Sequence, residues 1–368
     1  MYFIYKHKDW PLFTWDNGAL LKPLAEARNL QGRIMGRMES LGFEFRMEAI
    51  LDTLTLDIIK STEIEGLYLD KGQVRSSVAR RLGLEIAGAV EPDRNVDGVV
   101  DMMLDATQKF AEPLDKDRLF AWHSSLFPEG RSGMYKIKVA GWRNDSTGPM
   151  QVVSGAMGHE KVHFQAPDSV FVEREMAQFI DWFNRETTIE PVIKAGVAHL
   201  WFVSIHPFED GNGRIARALT DMLLARSDNS SQRFYSMSAQ MRVERKQYYE
   251  ILESSQKGGM DITPWLSWFL GSLKNALLTT DTTLSKVLCK ADFWHKHSQT
   301  GLNERQRFML NKLMDGFTGK LTAIKWAKMN KTSRDTALRD IQDLISKEIL
   351  QKEEAGGRST NYELKIES

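Results

Sequence analysis

The run His206-Pro207-Phe208-Glu209-Asp210-Gly211-Asn212-Gly213-Arg214-Ile215-Ala216-Arg217 joins the end of one apolar helical stretch to the start of another. Gly211 and Gly213 allow unusual backbone dihedrals and let a ligand approach closely, while the first N–H groups of the following helix lack intrahelical partners. Phosphate suits such a helix start. Arg214 and Arg217 are three apart, so both guanidinium forks reach from one helical face toward the same phosphate chain. Asp210 adds a hard carboxylate oxygen of the kind that a magnesium bridging two phosphates requires. His206 is the only nearby group able to accept a proton near neutral pH. Helix capping and surface ion pairs explain each residue singly, but the joint pattern implies transfer of a phosphate-containing group.

Outward from this run, helical periodicity dominates from Leu20 to about Leu288, so the fold is expected to be mainly α. Helices are predicted from near Gly18, from about Phe45 to Glu65 with Gly66 stopping it, and over Val170–Arg185, Val192–Ile205, Arg214–Arg226, Arg245–Gln256 and Pro264–Leu288. Between Met134 and Pro167 the pattern changes to short β-like pieces, Lys136–Ala140, Met150–Ser154 and Lys161–Phe164, read as a hairpin or flap inserted in a helical body. The tail from Leu302 reads as three short helices and a β-hairpin, the order of a winged helix, with a hinge near Asp292 to Gly301. The expected division is an N-terminal helical domain over 1–95, a catalytic domain over 96–290 and a winged helix over 300–368.

Lysine plus arginine and aspartate plus glutamate balance at 49 each, so no global field draws the chain to nucleic acid or an anionic membrane. The single cysteine, Cys289, cannot form an internal disulfide, which fits a reducing compartment, and the cytoplasm is the default expectation. No secretory signal is read at the N-terminus, and the apolar stretch Ala195–Ile205 is interrupted by His199 and Ser204, so no membrane span is expected.

The quoted run resembles the Fic family signature, His-Pro-Phe-x-Asp-Gly-Asn-Gly-Arg-x-x-Arg, with every specified position filled. The resemblance implies a Fic-fold helical core with a β-hairpin flap, and an enzyme that moves AMP from ATP onto a Ser, Thr or Tyr hydroxyl of a protein. It implies that His206 deprotonates the target hydroxyl and that Asp210 holds Mg2+. Gly211, Asn212 and Gly213 would form the anion hole, with Arg214 on the inner phosphates and Arg217 on the γ-phosphate. Upstream, Ser61-Thr-Glu-Ile-Glu65-Gly66 resembles the family's inhibitory motif in the subclass whose inhibitory helix precedes the core. By that resemblance Glu65 pairs with Arg217, so ATP binds only unproductively; the alternative is helix-end decoration. Family members often modify themselves, and in some the glutamate positions water to remove AMP.

The stretch 151–166 resembles the family flap, which implies that Val153, Ser154, Gly155 and Ala156 lie beside the nucleotide and that an extended target segment adds to the flap edge. Tyr248 and Gln256, eight apart on one helical face, resemble the adenine-pocket helix; packing in a core is the other reading. Asp9-Trp10-Pro11, Phe13 and Trp15-Asp16 resemble the N-terminal domain of many bacterial Fic proteins. His159-Glu160-Lys-Val-His163 matches a zincin spacing, but the neighbouring glycines, the β-like Val-His-Phe and Pro167 break the helix that zinc would need. His199 reads as a partly buried helix residue. In the tail, Arg334, Arg339 and Lys347 are answered by Asp335, Asp340 and Asp343, so the footprint for DNA binding by 302–368 is weak and protein docking or homodimerisation is the alternative. Two other functions stay open: a related transferase with another phosphate donor, and a nucleotide-sensing transcription regulator. Gly213, where the phosphotransferase branch resembles a lysine version, and an intact His206 favour adenylyl transfer.

Overall fold

Aspartates open three successive helices. Asp70, Asp93 and Asp115 each accept a hydrogen bond from the backbone N–H three residues on, which starts α3 (Lys71–Arg81), α4 (Arg94–Gln108) and α5 (Lys116–Leu126). They follow α1 (Asn17–Glu39) and α2 (Phe43–Ile64). The computed structural model describes all residues except 1, 40–41, 87, 147, 155–160, 315–316, 318, 354–359 and 366–368, together with all side chains of the remainder except 44, 283, 286–288, 291–292 and 295. Its contacts divide the chain into two compact units, Met1–Thr280 and Asp281–Ser368.

In the first unit, α6 (Ser169–Arg185) precedes α7 (Pro191–Ile205), whose start is set by Pro191 and by Glu190 accepting from the Val192 and Ile193 amides. Every residue of α7 from Val192 to Ile205 is buried, so this helix is apolar on all sides and forms the centre of the unit. It packs along α8 (Asn212–Asp228), itself buried from Arg214 through Ala225. The short α9 (Met237–Val243) and α10 (Arg245–Gln256) follow, then α11 (Thr263–Lys296). α2 packs on α3, α4, α8 and α9, so the helices of the expected N-terminal and catalytic domains share one unit.

Gly66 ends α2 as its position suggested. With φ +81 it takes the left-handed conformation, its N–H reaches the Glu63 carbonyl at 3.1 Å, and the Leu67 N–H reaches the Thr62 carbonyl at 3.2 Å. These two bonds close a Schellman cap and fix the backbone of Glu65 between them.

The flap read over 151–166 forms a hairpin, and a second, shorter one precedes it. β1 (Arg131–Ser132) pairs antiparallel with β2 (Tyr135–Lys136), and β3 (Gln151–Ser154) pairs with β4 (Lys161–Gln165), with a register shift between Val152 and Val153. Of the expected strand Lys136–Ala140 only Lys136 pairs, and Ala140 adopts a positive φ of 52 that no regular strand accepts.

In the second unit, α12 (Glu304–Met314), α13 (Ala323–Met329) and α14 (Arg334–Ser346) precede an antiparallel pair, β5 (Leu350–Lys352) and β6 (Tyr362–Leu364). Trp326, Met309, Leu310, Ile341 and Leu344 fill its core. α11 runs unbroken through 292–296, where a hinge was expected, and the division of contacts falls at Thr280 instead. Asp340 and Asp343 of α14 turn toward α12, where Arg305 and Gln306 bind them, whereas Arg334 and Arg339 stay exposed. No helix among the described residues is long and apolar enough to cross a membrane.

Candidate active site

His206 caps the C-terminus of α7 in a left-handed conformation, φ 53 and ψ 59, which turns the chain sharply out of the core. Its Nδ1 lies 3.3 Å from the Val203 carbonyl. A carbonyl only accepts, so Nδ1 carries the hydrogen and Nε2 keeps the lone pair. Burial pushes the imidazole pKa down to about 4, with the Val203 contact opposing that shift and the Arg143 charge adding to it. His206 is therefore neutral near pH 7 and available as a base.

Several side chains hold the loop that follows. Arg143, buried, donates from Nε to the His206 carbonyl at 2.7 Å, from Nη1 to Asp145 at 2.8 Å and from Nη2 to the Pro167 carbonyl. The Asn212 side chain staples the loop to itself, accepting from the Phe208 N–H at 3.0 Å and donating to the Phe208 carbonyl at 2.8 Å. The Asn212 Oδ1 and one Nδ2 hydrogen are thus spent within the loop. His123 stacks on Phe208 with ring centres 4.2 Å apart, and its Nε2 donates to the Asp210 carbonyl at 3.2 Å. Burial likewise lowers the His123 pKa, to about 4.

At the head of α8, Gly211 occupies the N-cap with φ 81 and no side chain caps the first turn. Asp210 accepts from the Gly211 N–H at 2.6 Å through Oδ1 and from the Ser132 hydroxyl through Oδ2. Arg214 is buried with its guanidinium 4.9 Å from the Phe127 ring centre and its Nε without a hydrogen-bond partner. A buried, unpaired guanidinium N–H is costly unless an anion completes it.

Arg217 is 1% exposed, and its fork is already occupied. Nε donates to Ser61 Oγ at 2.9 Å; Nη2 donates to the Ser61 carbonyl and to Glu65 Oε1, each at 2.8 Å. Glu65 lies over the first turn of α8, where a Cβ at position 213 would collide with its Oε1. The carboxylate therefore sits against the uncapped start of α8. Tyr249 reaches Glu65 Oε2 at 3.4 Å, and Arg245 donates to the Ile64 carbonyl at 2.8 Å.

The proposed adenine residues lie deeper. Tyr248 is buried with its hydroxyl 2.9 Å from His199 Nε2, and Gln256 is buried with Nε2 3.3 Å from the Val203 carbonyl. His199 is fully buried instead of partly so. Its Nδ1 contacts Thr220 Oγ1 at 2.9 Å, and burial lowers its pKa to about 3, so it is a neutral packing residue. Val153 and Ser154 end β3, both exposed; Gly155, Ala156, His159 and Glu160 lie outside the described residues. His163 stands in β4, where Nε2 accepts from the Ser154 hydroxyl at 2.6 Å and Nδ1 donates to Glu253 of α10 at 2.6 Å. Lys257 first, and His163 after it, hold the Glu253 carboxyl down at about 2.

Residues 113–224 match the Fic/DOC family, and residues 3–84 match a domain of unknown function (DUF4172). The chain is similar to protein adenylyltransferase fic-1 of Caenorhabditis briggsae, 29% identical over 178 residues, 48% of this chain and 32% of that protein. It is also similar to protein adenylyltransferase Fic of Drosophila willistoni, 35% identical over 104 residues, 28% of this chain and 19% of that protein. The chain thus spans about a third or less of these relatives' lengths. A solved Fic family protein from Desulfovibrio desulfuricans G20 shares the fold, with a TM-score of 0.55 and 20% identity over 97% of this chain and 99% of that one.

Ser132, His123, Arg143 and Tyr249 complete the site through contacts that no short motif announces. The sequence singled out Tyr248, and it is the adjacent Tyr249 that reaches Glu65.

Proposed function

We propose that the chain transfers AMP from ATP to a hydroxyl of a protein and that Glu65 restrains the transfer. The observation that carries this reading is the head of α8, where a neutral imidazole, a carboxylate, an uncapped helix start and two buried arginines converge, with the Glu65 carboxylate lying where phosphate oxygens would. The Asn212 and Gly213 amides would take the phosphates, with Arg214 on the inner ones and Arg217, once free, on the γ-phosphate. The target oxygen bonds to the α-phosphorus, its proton passes to His206 Nε2, and the bond to the bridging oxygen breaks, releasing pyrophosphate. Asp210 would hold Mg2+: one carboxylate, with no cluster of three metal-binding side chains among the described residues, suits an ion bound mainly by phosphates and water. Such an ion would neutralise charge on the triphosphate. The edge of β3–β4, with Val153 and Ser154, would dock the target segment. The lone cysteine, Cys289, fits a reducing cytoplasm. Pyrophosphate should accumulate in step with protein labelling; ADP in its place would turn the reading to phosphoryl transfer.

The pH profile follows from burial. A cationic His206 is disfavoured, so the base is lost only as pH falls through about 4. For a Glu65→Gly variant, kcat/KM should stay level from about pH 8 down to about pH 5. An acid limb centred on the ordinary histidine value of 6.5 would contradict the described environment.

For the second unit we propose a winged helix that meets duplex DNA through α14. Asp340 and Asp343 are taken up by α12, which leaves Arg334 and Arg339 exposed without those two counter-charges. Two phosphate contacts predict a log–log salt slope of about −2 for the full chain. Salt-independent or absent binding would favour docking or dimerisation.

A further inference from the structure

α2 and α8 meet through three polar rungs spaced four residues apart on each helix. Glu65 lies over Gly213, Ser61 bonds Arg217, and one turn below, Asp57 faces Asp221. The upper two belong to the inhibitory contact; the lowest has no part in the chemistry proposed above.

That lowest rung is a buried charge cluster. Asp57 and Asp221 are 4% and 2% exposed. Asp57 Oδ1 accepts from the Ser236 hydroxyl and from the Ser238 N–H at 3.2 Å, which ties α2 to the start of α9. Arg233, also buried, bonds the Asp221 carbonyl at 3.0 Å and pairs with Asp221 Oδ1 at 2.9 Å. Its guanidinium lies 4.5 Å from the Tyr235 ring centre, and the Tyr235 hydroxyl bonds Asp228 at 2.8 Å. Burial, and after it the Asp57 charge, raises the Asp221 carboxyl well above its ordinary range against the pull of Arg233. Two buried carboxyls thus face one buried arginine, and the charged form of Asp221 is disfavoured. Both carboxyls are buried, so parting the helices here opens a bonded, buried polar cluster, whereas parting them at Glu65 alone moves a side chain already 31% exposed.

We propose that the Asp57–Asp221 pair is the anchor that seats the inhibitory end of α2 on α8, so that Glu65 clears Gly213 and Arg217 only when this lower rung opens. Asp57 is thus a positioning residue acting through Glu65, and the proposal rests on the inhibitory reading of Glu65. The competing account is that the last turn of α2 frays alone, leaving the Asp57 rung closed.

The test compares AMP transfer at saturating ATP by wild type, Glu65→Gly, Asp57→Ala, Asp57→Asn and the Asp57→Ala/Glu65→Gly pair, with hydrogen exchange of the wild-type chain. Asp57→Ala should raise the rate about tenfold, and the pair should match Glu65→Gly within about twofold. Asp57→Asn keeps an acceptor for Ser236 and Ser238 and offers N–H to Asp221, so it should remain within about twofold of wild type. Amides of 58–66 should exchange together through one opening. A folded Asp57→Ala as repressed as wild type, or an Asn variant released as fully as the alanine one, would overturn the anchor. So would exchange of 61–66 ahead of 58–60 in the wild type, which needs no variant to fold. If Glu65→Gly itself is no faster than wild type, it is the inhibitory reading that fails.

Discussion

Replacing Glu65 with glycine should raise AMP transfer at saturating ATP by about 10²-fold. Arg217 spends Nε and Nη2 on Ser61 and Glu65, while its Nη1 has no hydrogen-bond partner. Removing the carboxylate releases Nη2 from Glu65, leaves only the Ser61 contacts, and clears the space above Gly213 in one change. Breaking a buried ion pair is worth about 3–5 kcal/mol, and each 1.4 kcal/mol or so is tenfold. Glu65 keeps 31% of its side chain exposed, which places the effect at the lower end of that range. Glu65→Gln, which retains the shape without the charge, should fall between wild type and glycine. Initial rates with labelled ATP measure all three, and an unchanged rate for glycine would remove the inhibitory role.

His206→Ala should lower the rate of the Glu65→Gly enzyme by about 10³-fold, within the range that a positioned general base contributes. Among the described residues the imidazole is the one neutral nitrogen base left at this loop, since His123 spends both ring nitrogens on the Asp210 carbonyl and the Ala140 N–H. Position 206 has φ 53, a conformation that costs alanine about 1 kcal/mol but that asparagine tolerates. His206→Asn should therefore melt close to the parent and be as inactive as alanine, separating lost chemistry from a displaced loop. Retention of activity by a well-folded asparagine variant would take the base role from His206.

The legible parts of this molecule are those where local chemistry dictates local geometry. Pro191, Gly66 and Gly211 fix their turns by backbone stereochemistry, so α2, α7 and the loop into α8 follow from sequence closely. The resemblance paired Glu65 with Arg217, and in the structure Ser61 joins them, its hydroxyl accepting from Arg217 Nε. Long-range partners were not legible. Asp57 and Asp221 stand 164 positions apart in number, and nothing in either neighbourhood marks them as a pair. Arg143 reads as one more charge in a loop until the His206 and Pro167 carbonyls converge on it. Tyr248 and Gln256 share a helical face as expected, but periodicity does not say whether that face meets a ligand or the core, and here it meets His199 and Val203.

The most direct measurement is the intact mass of proteins modified by the Glu65→Gly enzyme with ATP and Mg2+. A triphosphate seated on α8 with its α-phosphorus toward His206 predicts a gain equal to one AMP per modified hydroxyl, absent when His206 is also replaced. A gain of a single phosphate, or the same AMP adduct without His206, would contradict that arrangement.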